Sequence, residues 1–314
     1  MKQVVLYFPG QGAQQLGMLA DLAEQYPIIK ETFDKASKAI DQDLWSLVQN
    51  GPAEELNLTY NTQPILVTAS AAIWNVIQQE VGTDIEVTAA AGHSVGEYSA
   101  LYAAGILSLE DAVRLVKKRG ELMDTAVPAG EGGMAAILGL DSEQIKAVCS
   151  DASSAGVVEP ANFNAPGQIV IAGTAAGIAE ACIVAKAAGA KRALPLQVSG
   201  PFHSSLMRQA AEPFVEALEN VEWSDANFDV YHNANNAVSS VADMKQRLVE
   251  QLYSPVNWIG AVEASSKGAE LAIEVGPGKV ISGLNKRINK QLTTLSSGDN
   301  ASFEKLLNAI KGEE

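Results

Sequence analysis

The chain has 314 residues, of which 47% are apolar and 19% charged, and its 37 acidic and 22 basic residues give a net charge of −15. This composition excludes a disordered chain, the negative charge argues against a nucleic-acid partner, and no apolar run approaches the ~18 residues of a membrane helix. The length predicts roughly two domains, and the first apolar run, residues 4–8, is too short for a signal peptide, so we expect a cytoplasmic protein.

The first half of the chain alternates strand and helix patterns. Residues 3–8 form a continuous apolar run that stops at a Pro-Gly pair, as a buried parallel strand does, and residues 85–91 form a second one. Helical patterns cover residues 68–80 and 110–123, the latter opened by a capping pattern from Ser108 to Asp111. The alternation predicts an α/β fold with a parallel sheet.

After residue 132 the pattern changes to shorter units. Six elements follow in the order strand, helix, strand, strand, helix, strand, at residues 134–138, 142–152, 157–163, 168–172, 175–188 and 191–198. This βαββαβ order predicts a ferredoxin-like small domain, residues 129–197, inserted into a discontinuous large domain of residues 1–128 and 198–314. The large-domain pattern resumes after the small domain, and its last predicted strand covers residues 271–275. Cys149 and Cys182 lie in Ala-rich segments with no ligand partner at a suitable spacing, which excludes a disulfide scaffold and a cysteine-based zinc site.

The segment GHSVG, residues 92–96, fits a nucleophile elbow, in which a strand turns sharply into a helix and exposes a serine hydroxyl. A predicted strand precedes it and a helical pattern, residues 97–104, follows, so the large domain is predicted to be α/β-hydrolase-like. The alternative is a tight turn in which Ser94 only caps the helix.

A nucleophilic serine needs a base, and the chain has three histidines. His93 adjoins the serine, where successive side chains diverge, and His232 stands at an ordinary strand end. His203 lies in a loop containing Gly and Pro, where the small domain returns to the large one. We therefore predict His203 as the base, the alternative being a structural histidine.

Arg119 faces the protein in the helical pattern of residues 110–123. It lies within about 60° of the centre of the apolar stripe, by the 100° step of a helix, and arginines are almost never buried without a partner. Its planar guanidinium suits a carboxylate held by two hydrogen bonds. An internal Asp or Glu partner, or a side chain that extends out to solvent, is the alternative.

The loop FPGQGAQ, residues 8–14, lacks the Lys-Ser/Thr of a phosphate-binding loop and the third glycine of a dinucleotide fingerprint. A backbone N–H flanked by glycines after a strand suits an oxyanion hole instead.

Six motifs together resemble the malonyl-CoA:acyl carrier protein transacylase family over nearly the whole chain. They are PGQGAQ (9–14), GHSVGEY (92–98), KRG (118–120), NFN (162–164), GPFH (200–203) and EVGPG (274–278). The resemblance implies that Ser94 is the acylated nucleophile, that His203 is its base and that Arg119 binds the free malonyl carboxylate. It also implies an oxyanion hole made by the backbone N–H groups of Gln11 and Val95.

The resemblance further implies that a main-chain carbonyl orients the histidine. We match that position to Asn257, where family members usually carry Gln. Phe202 and Asn162 are expected in the substrate pocket, and Phe202 would crowd an α-methyl branch. No cofactor and no metal are expected.

The implied reaction moves a malonyl group from malonyl-CoA to the phosphopantetheine thiol of acyl carrier protein in two ping-pong steps, for fatty acid synthesis. Alternatives are a serine esterase or thioesterase of the α/β-hydrolase type, a trans-acting acyltransferase for polyketide synthesis, and a non-catalytic binding module. We expect a monomer. Because carrier proteins are acidic, docking needs a local basic patch, for which we favour Lys191, Arg192, Lys286 and Arg287; each cluster could also be a solvated surface.

Overall fold

A computed structural model describes residues 1–312 of the chain, which hold nine strands. They are β1 (Lys2–Phe8), β2 (Ile85–Gly92), β3 (Gly132–Leu138), β4 (Val158–Ala165), β5 (Gln168–Thr174), β6 (Arg192–Pro195), β7 (Asp229–Tyr231), β8 (Leu271–Glu274) and β9 (Thr294–Ser296). The strands form two separate sheets, one of five strands and one of four.

The same residues hold fourteen α-helices and one 3₁₀ helix. The α-helices are α1 (Ala20–Gln25), α2 (Ile28–Ile40), α3 (Leu44–Asn50), α4 (Ala53–Leu56), α5 (Thr59–Val81), α6 (Gly96–Ala103), α7 (Leu109–Thr125), α8 (Ser142–Ala152), α9 (Ala175–Ala187), α10 (Ala211–Glu219), α11 (Val241–Tyr253), α12 (Trp258–Ser265), α13 (Val280–Ile288) and α14 (Asn300–Lys311). The 3₁₀ helix, Ser205–Ala210, precedes α10. No helix among residues 1–312 is long and apolar enough to cross a membrane.

The large sheet has the order β7-β2-β1-β8-β9, and all of its pairings are parallel. Both of its faces are buried, as the continuous apolar pattern of β1 predicts. Val4, Leu6 and Phe8 of β1 enter the main core with helices such as α5, whereas Val5 and Tyr7 pack on the opposite side against α12 and α13. The carboxyl ends of β1, β2 and β8 lie side by side, which is where ligands bind in open α/β sheets.

The small sheet has the order β4-β5-β3-β6 with antiparallel pairing, and α8 and α9 cover one face. The α/β fold class and the βαββαβ order of the small unit are therefore confirmed. All four of its strands fall within residues 129–197; the exact domain boundaries stay a prediction.

Strand β4 ties the small sheet to the large domain. The Phe163 N–H donates to the Val256 carbonyl, and the Val256 N–H donates to the Ala161 carbonyl, both at 2.9 Å. The Glu159 carboxylate accepts from the Ser205 N–H at 2.7 Å. Strand β6 forms the other edge of the small sheet, and Leu196, directly after it, lines the cavity around Ser94.

Helix α5 differs most from its predicted bounds, because it begins at Thr59 rather than near residue 68. The polar residues of its first turn are buried and bonded to the preceding segment: Asn61 donates to the Glu55 carbonyl and Thr62 to the Leu56 carbonyl. The helix thus begins with a polar first turn, and the apolar residues that dominate its middle follow.

Candidate active site

The segment 92–96 turns sharply between β2 and α6, and Ser94 has a φ of +53°. A Cβ on Gly92 would lie 1.9 Å from the Gly96 carbonyl carbon, so only glycine permits this turn. The strained serine is held by its own backbone: its N–H donates to the Asn233 side-chain oxygen at 2.8 Å, and its carbonyl accepts from the Gln251 amide at 3.0 Å. The serine hydroxyl is thereby fixed at the carboxyl end of the sheet.

His203 reaches that hydroxyl from the loop after β6, with its Nε2 atom 2.7 Å from the Ser94 Oγ. Its Nδ1 lies 2.8 Å from the Gln251 carbonyl oxygen. Since a carbonyl only accepts, Nδ1 carries the proton and Nε2 presents its lone pair to the serine. This is the tautomer that a general base requires.

The carbonyl that orients His203 belongs to Gln251, so the expectation of Asn257 is wrong. Gln251 lies in the last turn of α11, where helix carbonyls have no intrahelical partner and are free to accept. Asn257 comes after that helix has ended, and its side chain accepts from the Gly260 N–H as the N-cap of α12. The residue that orients the base is thus a glutamine, the residue type that the resemblance implies for this position.

The imidazole of His203 is buried, and this burial lowers its pKa from 6.5 to about 3, with the nearby charge of Arg119 adding to the effect. The protonated form is disfavoured because it would lose its hydration without gaining an anion. His203 is therefore neutral near pH 7 and able to accept a proton.

Arg119 is almost fully buried, with 1% of its surface exposed, on the inner face of α7. Its guanidinium donates to the side-chain oxygens of Gln63 at 2.8 Å and Gln251 at 2.7 Å, and its Nη2 lies 3.3 Å from the Ser94 Oγ. Its Nε has no partner, and no described carboxylate lies within ion-pair distance. Arg119 therefore has no internal Asp or Glu partner among the described residues, and its guanidinium is free to bind the carboxylate of a substrate.

The two residues expected to form the oxyanion hole, Gln11 and Val95, both line the cavity around Ser94. The loop after β1 brings Gln11 beside the elbow, where a Cβ on Gly10 would lie 2.5 Å from the His93 carbonyl oxygen. Among the described residues, no acceptor is bonded to the N–H of Gln11 or to that of Val95. Both donors are available to a substrate oxygen.

Residues of both domains enclose a cavity of about 120 Å³ around Ser94. Its walls include the expected site residues Phe202 and Asn162, and the further residues Gln63, Met123, Met134, Leu196 and Val198. His93 also lines it, but its Nε2 is bonded to the Asn164 side chain at 2.8 Å, away from the serine. In residues 1–312 no group of three or more His, Cys, Asp or Glu side chains is arranged to hold a metal ion.

Residues 5–283 match the family described as acyl transferase domain. The chain belongs to this acyl transferase family. It is 50% identical over 305 residues to a protein of Haemophilus influenzae named malonyl CoA-acyl carrier protein transacylase, covering 96% of this chain and 97% of that one. The corresponding Escherichia coli K12 protein is also 50% identical, over 295 residues, covering 93% and 95% of the two chains.

Solved structures show the same acyl transferase fold. An acyl carrier protein S-malonyltransferase of Vibrio cholerae superposes with a TM-score of 0.92 at 48% identity, over 98% of this chain and all of that one. A malonyl-transacylase solved with its type II polyketide acyl carrier protein gives a TM-score of 0.94 at 45% identity, over the full length of both.

The sequence pattern missed two glutamines of this acyl transferase site, although one carried a signal. Gln251 follows Met244 and Leu248 at helical spacing, so it lies on the buried stripe of α11, just as Arg119 lies on that of α7. Gln63 has no such signal, because it lies in a helix that is buried nearly all round.

The four expected docking residues, Lys191, Arg192, Lys286 and Arg287, are all exposed. Arg287 on α13 also bridges the two domains, since its guanidinium donates to the Gln168 side chain and to the Pro166 carbonyl, each at 2.5 Å. Both acceptors are neutral, so the positive charge stays uncompensated at the surface.

Proposed function

We propose that this chain transfers a malonyl group from malonyl-CoA to the phosphopantetheine thiol of acyl carrier protein through a malonyl-Ser94 intermediate. One observation carries the proposal: the Ser94 hydroxyl lies within 2.7 Å of a neutral imidazole and 3.3 Å of a buried guanidinium that has no carboxylate partner. The first makes it a nucleophile, and the second selects an acyl group that ends in a carboxylate. The names of the relatives support the same activity.

In the first half-reaction the Ser94 Oγ attacks the thioester carbon while its proton passes to Nε2 of His203. The oxygen of the tetrahedral intermediate becomes negative and accepts from the N–H groups of Gln11 and Val95. The carbon–sulfur bond then breaks, the His203 proton goes to the CoA sulfur, and malonyl-Ser94 remains. In the second half-reaction the carrier thiol gives its proton to His203 and its sulfur attacks the ester carbon. The bond from that carbon to the Ser94 Oγ then breaks, and His203 returns the proton to the Ser94 Oγ.

Arg119 supplies selectivity because its guanidinium already faces the serine. A malonyl carboxylate bound there replaces lost hydration by charge-assisted hydrogen bonds, whereas an acetyl group leaves the cation unpaired. Phe202 adjoins the base in sequence and lines the cavity, and we expect it to crowd an α-methyl branch of the acyl group. The chemistry needs no cofactor, since these side chains supply every proton transfer.

We infer that the carrier docks where the small sheet leads from the cavity to the surface. On the face of β3 that is turned away from α8 and α9, Met134 lines the cavity, and Leu138, four residues further, lies about 13 Å along the strand. Leu138 pairs with Arg192 on one side and Gln168 on the other, and Arg287 bonds to Gln168. Arg192 and Arg287, which have no carboxylate partner among the described residues, therefore lie on either side of Leu138, at the end of β3 away from the cavity. Lys191 and Lys286 adjoin them in sequence.

Intact-mass measurement after mixing with malonyl-CoA tests the activity directly. We expect one malonyl adduct on the chain, none on a Ser94→Ala variant, and loss of the adduct when reduced carrier protein with its phosphopantetheine arm is added. If the adduct were lost at the same rate without carrier protein, with release of free malonate, the chain would instead be a thioesterase. If no adduct formed at all, the chain would be a non-catalytic binding module. A cytoplasmic location and a monomeric state stay predictions from the sequence.

A further inference from the structure

A fully buried carboxylate lies behind the site without touching the reacting atoms. Glu97, in the first turn of α6, accepts from the His232 Nδ1 at 2.6 Å, from the Asn233 N–H at 3.0 Å and from the Gln251 amide at 2.6 Å. The mechanism above uses neither this carboxylate nor His232. The buried Nε2 of His232 has no partner, which favours the tautomer with its proton on Nδ1, since an unpaired N–H there would be costly. Three donors then face Glu97, and its hydrogen bonds are those of the ionised form.

His232 does not neutralise that charge. Its Nδ1 must carry a proton to donate to Glu97, and its buried Nε2 has no partner. A second proton on Nε2 would be an unsatisfied buried donor, which is costly, so the neutral imidazole fits the pocket. The negative charge of Glu97 therefore faces the Arg119 guanidinium, the other buried charge near it in the part of the chain that the structure describes.

The side-chain amide of Gln251 separates these two charges. Its nitrogen donates to Glu97 and to the Ser94 carbonyl, which are both acceptors, and its oxygen accepts from Arg119. Rotating the amide by half a turn would set its oxygen against the carboxylate and its nitrogen against the guanidinium. The carboxylate thus fixes which way the amide points.

We propose that Glu97 is a positioning residue for the acyl-carboxylate site, which holds the Gln251 amide with its oxygen toward Arg119 and balances the buried guanidinium through that amide. A carboxylate in direct contact with Arg119 would compete with the substrate. An intervening neutral amide orients the guanidinium and leaves its charge open to an incoming carboxylate.

The same contacts link Glu97 to the nucleophile. Asn233, whose N–H is bonded to Glu97, accepts from the Ser94 N–H, and Gln251 donates to the Ser94 carbonyl. Both backbone groups of the strained serine are therefore held by residues that Glu97 holds. The stronger effect is expected on carboxylate recognition, because that contact alone needs the amide oxygen to face Arg119.

Glu97→Gln tests the proposal, which rests on the proposed malonyl transfer. The glutamine carries no charge and has one acceptor oxygen where Glu97 has two, so it holds the Gln251 amide less firmly and lets the amide oxygen leave Arg119. We expect kcat/KM for acylation of Ser94 by malonyl-CoA to fall about 10- to 150-fold, the range of a lost charge-assisted hydrogen bond, mainly through a higher KM. Acylation by acetyl-CoA should fall much less, so the malonyl-to-acetyl ratio drops.

Glu274→Gln is the matched control. Glu274 is also fully buried and accepts three hydrogen bonds, from the N–H groups of Ile281 and Ser282 and from the Ser282 hydroxyl, but it contacts none of the site residues. We expect this variant to lose thermal stability and keep its malonyl-to-acetyl ratio. An unchanged ratio in Glu97→Gln, with only a lower Tm, would overturn the proposal and reduce Glu97 to a structural role.

Gln251→Met keeps the test decisive if Glu97→Gln does not fold. Methionine preserves the volume and the backbone carbonyl bonded to His203 but removes the amide, so the ratio should again drop. Where both variants fold, the malonyl-to-acetyl ratio of the double variant should be no lower than that of Gln251→Met alone, because Glu97 acts on carboxylate recognition through the amide, whereas its bond to Asn233 affects both acyl donors alike. Additive losses in that ratio would overturn the proposal. Failure of the wild-type chain to form malonyl-Ser94 would reject the proposed function instead.

Discussion

The two walls of the cleft differ in chemistry. The large-domain wall carries Ser94, His203 and Arg119, each fixed by buried hydrogen bonds, whereas the small-domain wall contributes Met134, Asn162 and Leu196, none of which titrates. The large domain thus holds the groups that can break a thioester. The small domain closes the cavity and carries Lys191 and Arg192, two of the four basic residues of the proposed docking surface, which we call the basic rim; Lys286 and Arg287 are the other two. Reaction chemistry and partner recognition should therefore respond to different substitutions.

Removal of the base should have the largest effect. His203→Ala is expected to slow acylation of Ser94 by about 10²- to 10⁴-fold, because no other described imidazole reaches the serine hydroxyl. Single-turnover mass spectrometry with malonyl-CoA measures it. A loss of only a few-fold would place the base elsewhere.

Removal of the Arg119 guanidinium should have the second largest effect. Arg119→Ala is expected to lower kcat/KM for malonyl-CoA by about 10- to 150-fold, the value of one lost charge-assisted hydrogen bond, and to affect acetyl-CoA far less. The values of kcat/KM for malonyl-CoA and acetyl-CoA should be measured on the same preparation of the variant. Equal losses for the two would mean that Arg119 supports the fold of the large-domain wall rather than recognising a carboxylate.

Charge reversal on the rim should act on the partner alone. Lys191→Glu, Arg192→Glu and Lys286→Glu should each raise the KM for carrier protein a few-fold, as expected of exposed charges worth roughly 0.2–1 kcal/mol each, and leave acylation by malonyl-CoA unchanged. Arg287 is kept because it also joins the domains. Lys305→Glu on α14 is the matched control; an equal rise there would attribute the effect to net charge.

The smallest expected change is in the pH profile. Because burial lowers the pKa of His203 to about 3, the acylation rate should stay level as the pH falls through 6.5, where an exposed histidine would lose half its base form. The unfolded chain binds the extra proton over this interval, so His203 lowers the free energy of unfolding as the pH falls from 6.5 toward 3. A rate that halves near pH 6.5 would contradict the burial of this base.

Local signals in the sequence were enough to predict the elbow, the histidine loop and Arg119. A glycine pattern marks the first, and a basic residue on an apolar helical stripe marks the last. The carbonyl that orients His203 could not be found this way, because any residue supplies a carbonyl and only the tertiary packing of α11 decides which one faces the imidazole. Glu97 lies within the motif GHSVGEY, yet its positioning role depends on contacts with residues 232, 233 and 251, which are far away along the chain.

The acceptor that orients His203 has a consequence for how this site can be inherited. In a Ser-His-Asp triad, one codon change can remove the carboxylate that holds the imidazole. Here the corresponding oxygen belongs to the peptide backbone at position 251, which every amino acid carries. No side-chain substitution there can delete it, so mutation can shift the tilt of the imidazole but cannot erase its partner.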